Sequence, residues 1–381
     1  MSPHAVSPGL WALAWRRLRA DRLAMLSLAI VTAFLLLMIA STSGLVAADW
    51  SREVGVNYAP PGFLGIPADA LDTAIAGAET IDIENPLDPL AADIAELRRE
   101  LRATAIPAAS SAPMEDYGII DPLAEDLQAI RAALSAEAGG AGGANGTGAA
   151  VTERRPTLPF GADKWGRDVV QKTIKGSGTS IFVGLIAALV ATLLGTLLGA
   201  LAGYFGRWVD DVLNWFYNIF TSIPYLLLIL AIAAVVPKGK GLLSIVLILG
   251  LTGWTGVFRL VRAEYMKHKS REYVQAASAI GASDLRRMFV HIFPNISHVA
   301  LVQLSILVVG FIKSEVILSF LGFGVPVDAV SWGSMLNEAQ NELILGKWWQ
   351  LVAATSAMAL LVTAFSLFTD ALRDALDPKL K

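Results

Sequence analysis

GSGTSIFVGLIAALVATLLGTLLGALAGYFG, residues 176–206, runs for 31 residues between Lys175 and Arg207 without a charged side chain. Four more charge-free runs accompany it: residues 23–48, 212–237, 241–258 and 348–369. A sixth apolar stretch, about residues 299–324, is interrupted only by Lys313 and Glu315. Crossing a bilayer as helix takes roughly 20 apolar residues. Even the shortest run, 241–258, would reach about 27 Å at 1.5 Å per residue. The sequence therefore predicts an all-α polytopic membrane protein with six transmembrane helices. Composition agrees, with 55% hydrophobic and 17% charged residues among 381, against about 45–50% and 25% in soluble domains. A soluble enzyme, a disordered chain and a nucleic-acid binder are all disfavoured. Cysteine is absent, which excludes disulfides, thiolate metal sites and a cysteine nucleophile. His4, His268, His291 and His298 are scattered, so no metal site is expected.

The first run could be mistaken for a cleaved signal, since Arg16, Arg17, Arg19 and Arg22 precede it. Signal cores are about 7–15 residues long, and this run is far longer, so it reads as an anchor. Basic residues then set the orientation. They gather in the N-terminal arm, in the loop after the fourth helix (Arg259, Arg262, Lys267, Lys269, Arg271, Arg286, Arg287) and in the tail (Arg373, Lys379, Lys381). Six crossings put all three on one side. The expected organisation is a cytoplasmic arm at 1–22, helix 1 at 23–48, an external segment at 49–177, core helices 2–6 at 178–369 and a cytoplasmic tail at 370–381. The core includes a cytoplasmic loop at 263–298.

The net charge of −3 averages two unlike regions. Residues 81–137 hold 12 acidic and 4 basic side chains, leaving 26 basic against 21 acidic elsewhere. That insert repeats itself: Asp88-Pro89-Leu90-Ala91 returns as Asp121-Pro122-Leu123-Ala124. Asp then Pro starts a helix, and Leu90, Ile94, Leu97, Leu101 and Leu123, Leu127, Ile130, Leu134 keep helical spacing. A small external helical hairpin is predicted, either a spacer or a docking site. The Gly-rich stretch 139–150 reads as a flexible linker.

The basic loop contains EYVQAASAIGASDLRRMFVHIFP, residues 272–294. Tyr273, Ala276, Ala277 and Ile280 form one apolar stripe, and Leu285, Met288, Phe289 and Ile292 another. Gly281 separates two short helices where a left-handed cap suits glycine. Ser283 can cap the second helix and Pro294 is expected to end it. The loop reads either as an amphipathic hairpin on the membrane surface or as a knob for a groove on a cytoplasmic partner.

Residues Gln275-Ala276-Ala277, Gly281 and Pro294 resemble the Glu-Ala-Ala loop of permease subunits of bacterial ABC importers. Gln275 replaces the hallmark Glu, and His291 occupies a usual isoleucine position. Glu272, Tyr273, Ser283 and Asp284 complete the loop. Residues 161–168 (GADKWGRD), Gly253-Trp254, Ser319-Phe320-Leu321-Gly322, Ser331-Trp332-Gly333 and residues 370–378 resemble the C-type subunit of dipeptide, oligopeptide and nickel permeases. The likeness covers about residues 10–50 and 158–381, not 80–150. It implies the type I ABC importer (MetI-like) permease fold in the bacterial inner membrane. It also implies a second homologous permease, two cytoplasmic ABC ATPases that carry ATP and Mg, an external substrate-binding protein and a peptide cargo. Nickel or another small solute is the alternative cargo. A channel or membrane scaffold without an ATPase is the alternative class.

No GxxxxGK[ST] loop occurs, so ATP should bind elsewhere, and no catalytic arrangement is visible. Gly195, Gly199 and Gly203 recur every fourth residue, as close helix packing requires; a hinge is the other reading. Lys313 and Glu315 would each cost about 2.5–3.5 kcal/mol at a helix centre. With Ser319 they are read as contacts in the translocation path or gate, or as buried bonds between helices. Pro224 is expected to kink helix 3. Arg373, Asp374 and Asp377 either bond to the loop or the ATPase or form a solvated terminus.

Overall fold

The computed structural model describes residues 10–65, 154–236, 241–326 and 328–376. Packing divides the chain into two units, residues 1–67 with 154–381, and residues 68–153. The expected hairpin and linker at 81–150, and the tail residues Asp377 and Pro378, lie outside the described residues.

The described secondary structure is helical, with only isolated bridges and no strand. A basic helix α1 (Leu10–Ala20) leads into α2 (Arg22–Thr42), which starts where Asp21 accepts hydrogen bonds from the amides of Leu23 and Ala24. After the segment 154–168, which turns at Gly161 and Gly166 and is bridged to residues 53–61, comes α3 (Val169–Phe205), capped by Asp168. The following elements are α4 (Arg207–Ser222), α5 (Tyr225–Val235), α6 (Leu242–Thr252), α7 (Thr255–Lys269) and α8 (Glu272–Ala279). Three long or structured pieces close the chain: α9 (Phe293–Phe320), α10 (Trp332–Ile344) and α11 (Trp349–Leu376). Five of the described helical stretches are long and apolar enough to cross a membrane, and a sixth if α4 and α5 count as one span.

Those two are bent by 87°. Pro224 does more than kink the span: it has no amide hydrogen for the helical ladder, and Ile223 turns extended. Thr221 and Ser222 donate their hydroxyls back to carbonyls of the preceding turn. Residues 221–227 are all exposed on this chain. Bidentate hydrogen bonds from Arg262 to Asp210, at 2.5 and 2.6 Å, tie α4 to α7.

α3 packs along α7 and α9. Small residues permit the closeness: a Cβ at Gly195, Gly199 or Gly203 would sit 2.6, 2.8 or 2.5 Å from the carbonyl oxygens of Trp254, Phe258 and Arg262. α7 extends the fourth span well past the expected end at Phe258. Pro294 does not end a helix, contrary to the sequence expectation. It stands in the first turn of α9, and a π-helical turn, Arg287–Ile292, precedes it. That wider turn, closed by Phe293 N donating to Met288 O, carries the chain past the proline ring without a break.

Candidate functional site

Two clusters stand at opposite ends of α3, near Tyr204 and near Lys172. The 32 residue steps from one to the other span about 48 Å of helix.

At the Tyr204 end lies the loop singled out by sequence. α8 terminates in a Schellman motif: Ala282 N donates to Ala277 O and Gly281 N to Ser278 O, both at 3.0 Å. Gly281 has φ +82°, a left-handed conformation that other residues resist. Ser283 Oγ then accepts from Arg286 N and starts the next turn, Asp284–Arg286. Arg287 clamps the corner, donating to Ser278 Oγ at 2.8 Å and Asp284 Oδ1 at 2.5 Å. Tyr204 Oη donates to Asp284 Oδ1 at 2.7 Å, and Lys269 Nζ donates to Tyr204 O. Buried Tyr265 donates to Met288 O at 3.2 Å. The corner is therefore bolted to α3 by Tyr204 and to α7 by Tyr265, while Lys269 ties α7 to α3 behind it.

The stripes differ from expectation. Val274, Met288 and Ile292 pack inward beside Tyr204, Val261 and Tyr265, and Ala277 is buried as well. Tyr273, Ala276, Ile280, Leu285 and Phe289 face outward, with Ile280 84% and Leu285 62% exposed. Each helix has rotated so that one apolar edge anchors and the other is free. Glu272 and Gln275 are exposed as well. Gln275 Nε2 donates to Ser270 O, and Tyr273 Oη lies 2.7 Å from His268 Nδ1.

At the other end, sequence reading missed the central group. Lys172 is 2% exposed and donates to Asp163 Oδ2 at 2.7 Å, Glu338 Oε2 at 2.5 Å and Gln350 Oε1 at 3.2 Å. Asp163 also accepts from the amides of Trp165 and Arg167. Gln350 donates to Glu338 Oε2 and Met335 O, and Trp349 Nε1 donates to Ala162 O. These bonds fasten the segment before α3 to α10 and α11. Glu342 is buried beside them, and no side chain among the described residues donates a hydrogen bond to its carboxylate. Burial pushes its carboxyl up to about 7; Lys172 opposes the rise, while Glu338 and Asp163 add to it.

Glu315 and Lys313 point apart, as their spacing requires. Glu315 is fully buried and accepts from Ser319 Oγ at 2.6 Å, whereas Lys313 is exposed and makes no ion pair among the described residues. Ser319 also accepts from Val325 N. Among the described residues no group of three or more acidic or histidine side chains is placed to hold a metal.

Residues 195–381 match the family described as binding-protein-dependent transport system inner membrane component. Residues 9–61 match the N-terminal transmembrane domain of oligopeptide transport permease C. The dipeptide transport system permease protein DppC of Bacillus subtilis (strain 168) is 37% identical over 222 residues, 58% of this chain and 69% of that protein. The oligopeptide transport system permease protein OppC of the same strain is 36% identical over 222 residues, 58% of this chain and 72% of that protein. A solved structure of the MetNI methionine ABC transporter, in inward-facing conformations, is a fainter likeness. Its TM-score is 0.37 at 14% identity, over 50% of this chain and 96% of that one.

Proposed function

The chain belongs to the binding-protein-dependent transport system inner membrane components, among the C-type subunits of oligopeptide and dipeptide ABC permeases, and from that premise we propose that it forms half of the translocation pathway of an ATP-driven peptide importer. A second homologous permease supplies the other half. Two cytoplasmic ATPases bind ATP and Mg, and an external binding protein delivers the peptide. Both termini and the 263–298 loop face the cytoplasm, the side to which basic residues are biased.

The observation that carries this reading is the corner around Gly281. It is fixed to α3 by Tyr204 and to α7 by Tyr265, yet it leaves Ile280 and Leu285 exposed. Such a rigid apolar edge suits a groove on an ATPase. Movement of that groove would be passed to α3 through the same bonds, switching the pathway between two states. Lys313, Glu315 and Ser319 border that pathway in this reading. The break at 223–224 supports an assembly too. Irregular backbone at membrane depth persists only where protein or a water-filled cavity covers it, and a second permease around a shared path supplies both.

The test is affinity purification of the tagged chain from its native membrane, with mass spectrometry of what accompanies it. A second six-helix permease and chains bearing phosphate loops are expected. Recovery of this chain alone, as a stable homo-oligomer in several detergents, would favour the channel or scaffold class.

A further inference from the structure

Beside the Lys172 cluster opens a cavity of about 290 Å³, whose wall includes Trp50, Trp165, Arg167, Ser319 and Asn337. Two cations line it, and they differ. Lys172 is spent on Asp163 and Glu338. Arg167 forms no ion pair among the described residues; instead its guanidinium carbon lies 4.5 Å from the centre of the Trp165 ring and 5.5 Å from that of Trp50. Its Nε is buried and has no hydrogen-bond partner among the described residues. A buried donor left unmet costs about 1–3 kcal/mol. Arg167 as a whole is only part-buried and lines the cavity, and the two terminal Nη groups of its guanidinium form a planar fork that matches a carboxylate in two parallel bonds. Aromatic faces around the guanidinium hold that plane without taking its donors.

We propose that this cavity is a carboxylate-binding site anchored by Arg167, and that its ligand is the C-terminal carboxylate of the transported peptide. The second half rests on the peptide-import reading. The volume sits near the lower end of small-molecule sites, about 300–1,000 Å³, enough for a terminal residue and too small for a folded protein loop. Asn337 donates through Nδ2 to Phe320 O at 2.6 Å, which leaves its side-chain oxygen to accept a peptide N–H. Ser319, on the wall, is bonded to Glu315, so the cavity borders the polar interior of the fifth span. A peptide whose terminus is held by Arg167 would lie at the mouth of that interior.

The experiment uses the complex of both permeases with the ATPases in nanodiscs, without the binding protein. Saturation-transfer NMR reports binding of two probes, alanyl-alanine and its C-terminal amide. The wild type is expected to bind the acid at least about tenfold more tightly, or about 1.4 kcal/mol. Arg167→Gln should bind both probes equally while melting at the wild-type temperature, and Arg167→Lys, which keeps the charge but not the fork, should fall between. Equal binding of acid and amide by the wild type would overturn the proposal. So would no transfer to either probe, or an acid preference that survives in both variants. ATP-driven uptake of alanyl-alanine, with the binding protein restored, separates the two claims. No uptake by the wild type removes the import reading itself. Uptake with no acid preference removes only the carboxylate site.

Discussion

The two ends of α3 solve opposite problems with similar materials. At the Lys172 end, charges are withdrawn from water and satisfied by one another, so Asp163, Glu338 and Gln350 fasten loop, α10 and α11 into one body. At the Tyr204 end, polar bonds hold only the back of the Gly281 corner, and apolar side chains are left facing out. The first arrangement is a fastener: removing a part leaves a buried charge uncompensated. The second is a handle: its outer face can change with little loss to the chain's own packing. Stability and coupling should therefore respond to mutation at different ends.

The largest effect should come from Gly281→Pro. Proline cannot adopt φ +82° and cannot donate to Ser278 O, so the Schellman corner is lost. ATP-driven uptake should fall to background while membrane insertion is retained; uptake at the wild-type rate would contradict the handle. Lys172→Met tests the other end. It strips the cation from Asp163 and Glu338 in a site where Lys172 is 2% exposed, at a cost of about 3–5 kcal/mol. Thermal melting in nanodiscs should show that loss, and an unchanged melting temperature would break the contrast.

A smaller effect sharpens the account of the fastener. The Glu342 carboxyl is pushed up to about 7 by burial, with Glu338 and Asp163 adding and Lys172 opposing. Unfolded, it returns to about 4.3. The native state thus holds the proton more tightly, and this stabilisation is complete below about pH 4.3 and lost as pH rises through about 7. Relative to Glu342→Gln, the wild type should melt progressively lower between pH 5 and pH 8. Parallel melting curves for the two proteins over that range would show that Glu342 does not titrate there.

Much of the handle was legible in the sequence because its logic is local. The apolar runs, the glycine at a left-handed cap and the small residues every fourth position of α3 are all signals carried by residues close in sequence. What periodicity could not supply was the rotation of each stripe. Ile280 and Leu285 look as apolar as Met288 and Ile292, and only the neighbours Tyr265 and Val261 decide which are buried. Pro294 misled for a related reason: a π turn absorbs it, and such a turn has no sequence signature of its own. The fastener was illegible because its pairs are distant. Lys172 meets Glu338 across 166 residues and Gln350 across 178, and nothing in the pattern near Lys172 announces either. The one available signal was the presence of lone charges flanking otherwise apolar spans, which must find partners.

The central claim is that the exposed edge of the Gly281 corner is where the ATPase docks. The chain has no cysteine, so Ile280→Cys creates a single reactive thiol at a side chain that is 84% exposed. Its rate of maleimide labelling would be measured on the permease pair in nanodiscs, first without the ATPases and then with them bound. Strong protection on ATPase binding is the predicted result, while Leu45→Cys, just beyond the C-terminal end of α2, keeps its rate. Equal labelling of Ile280→Cys in both states would contradict the account.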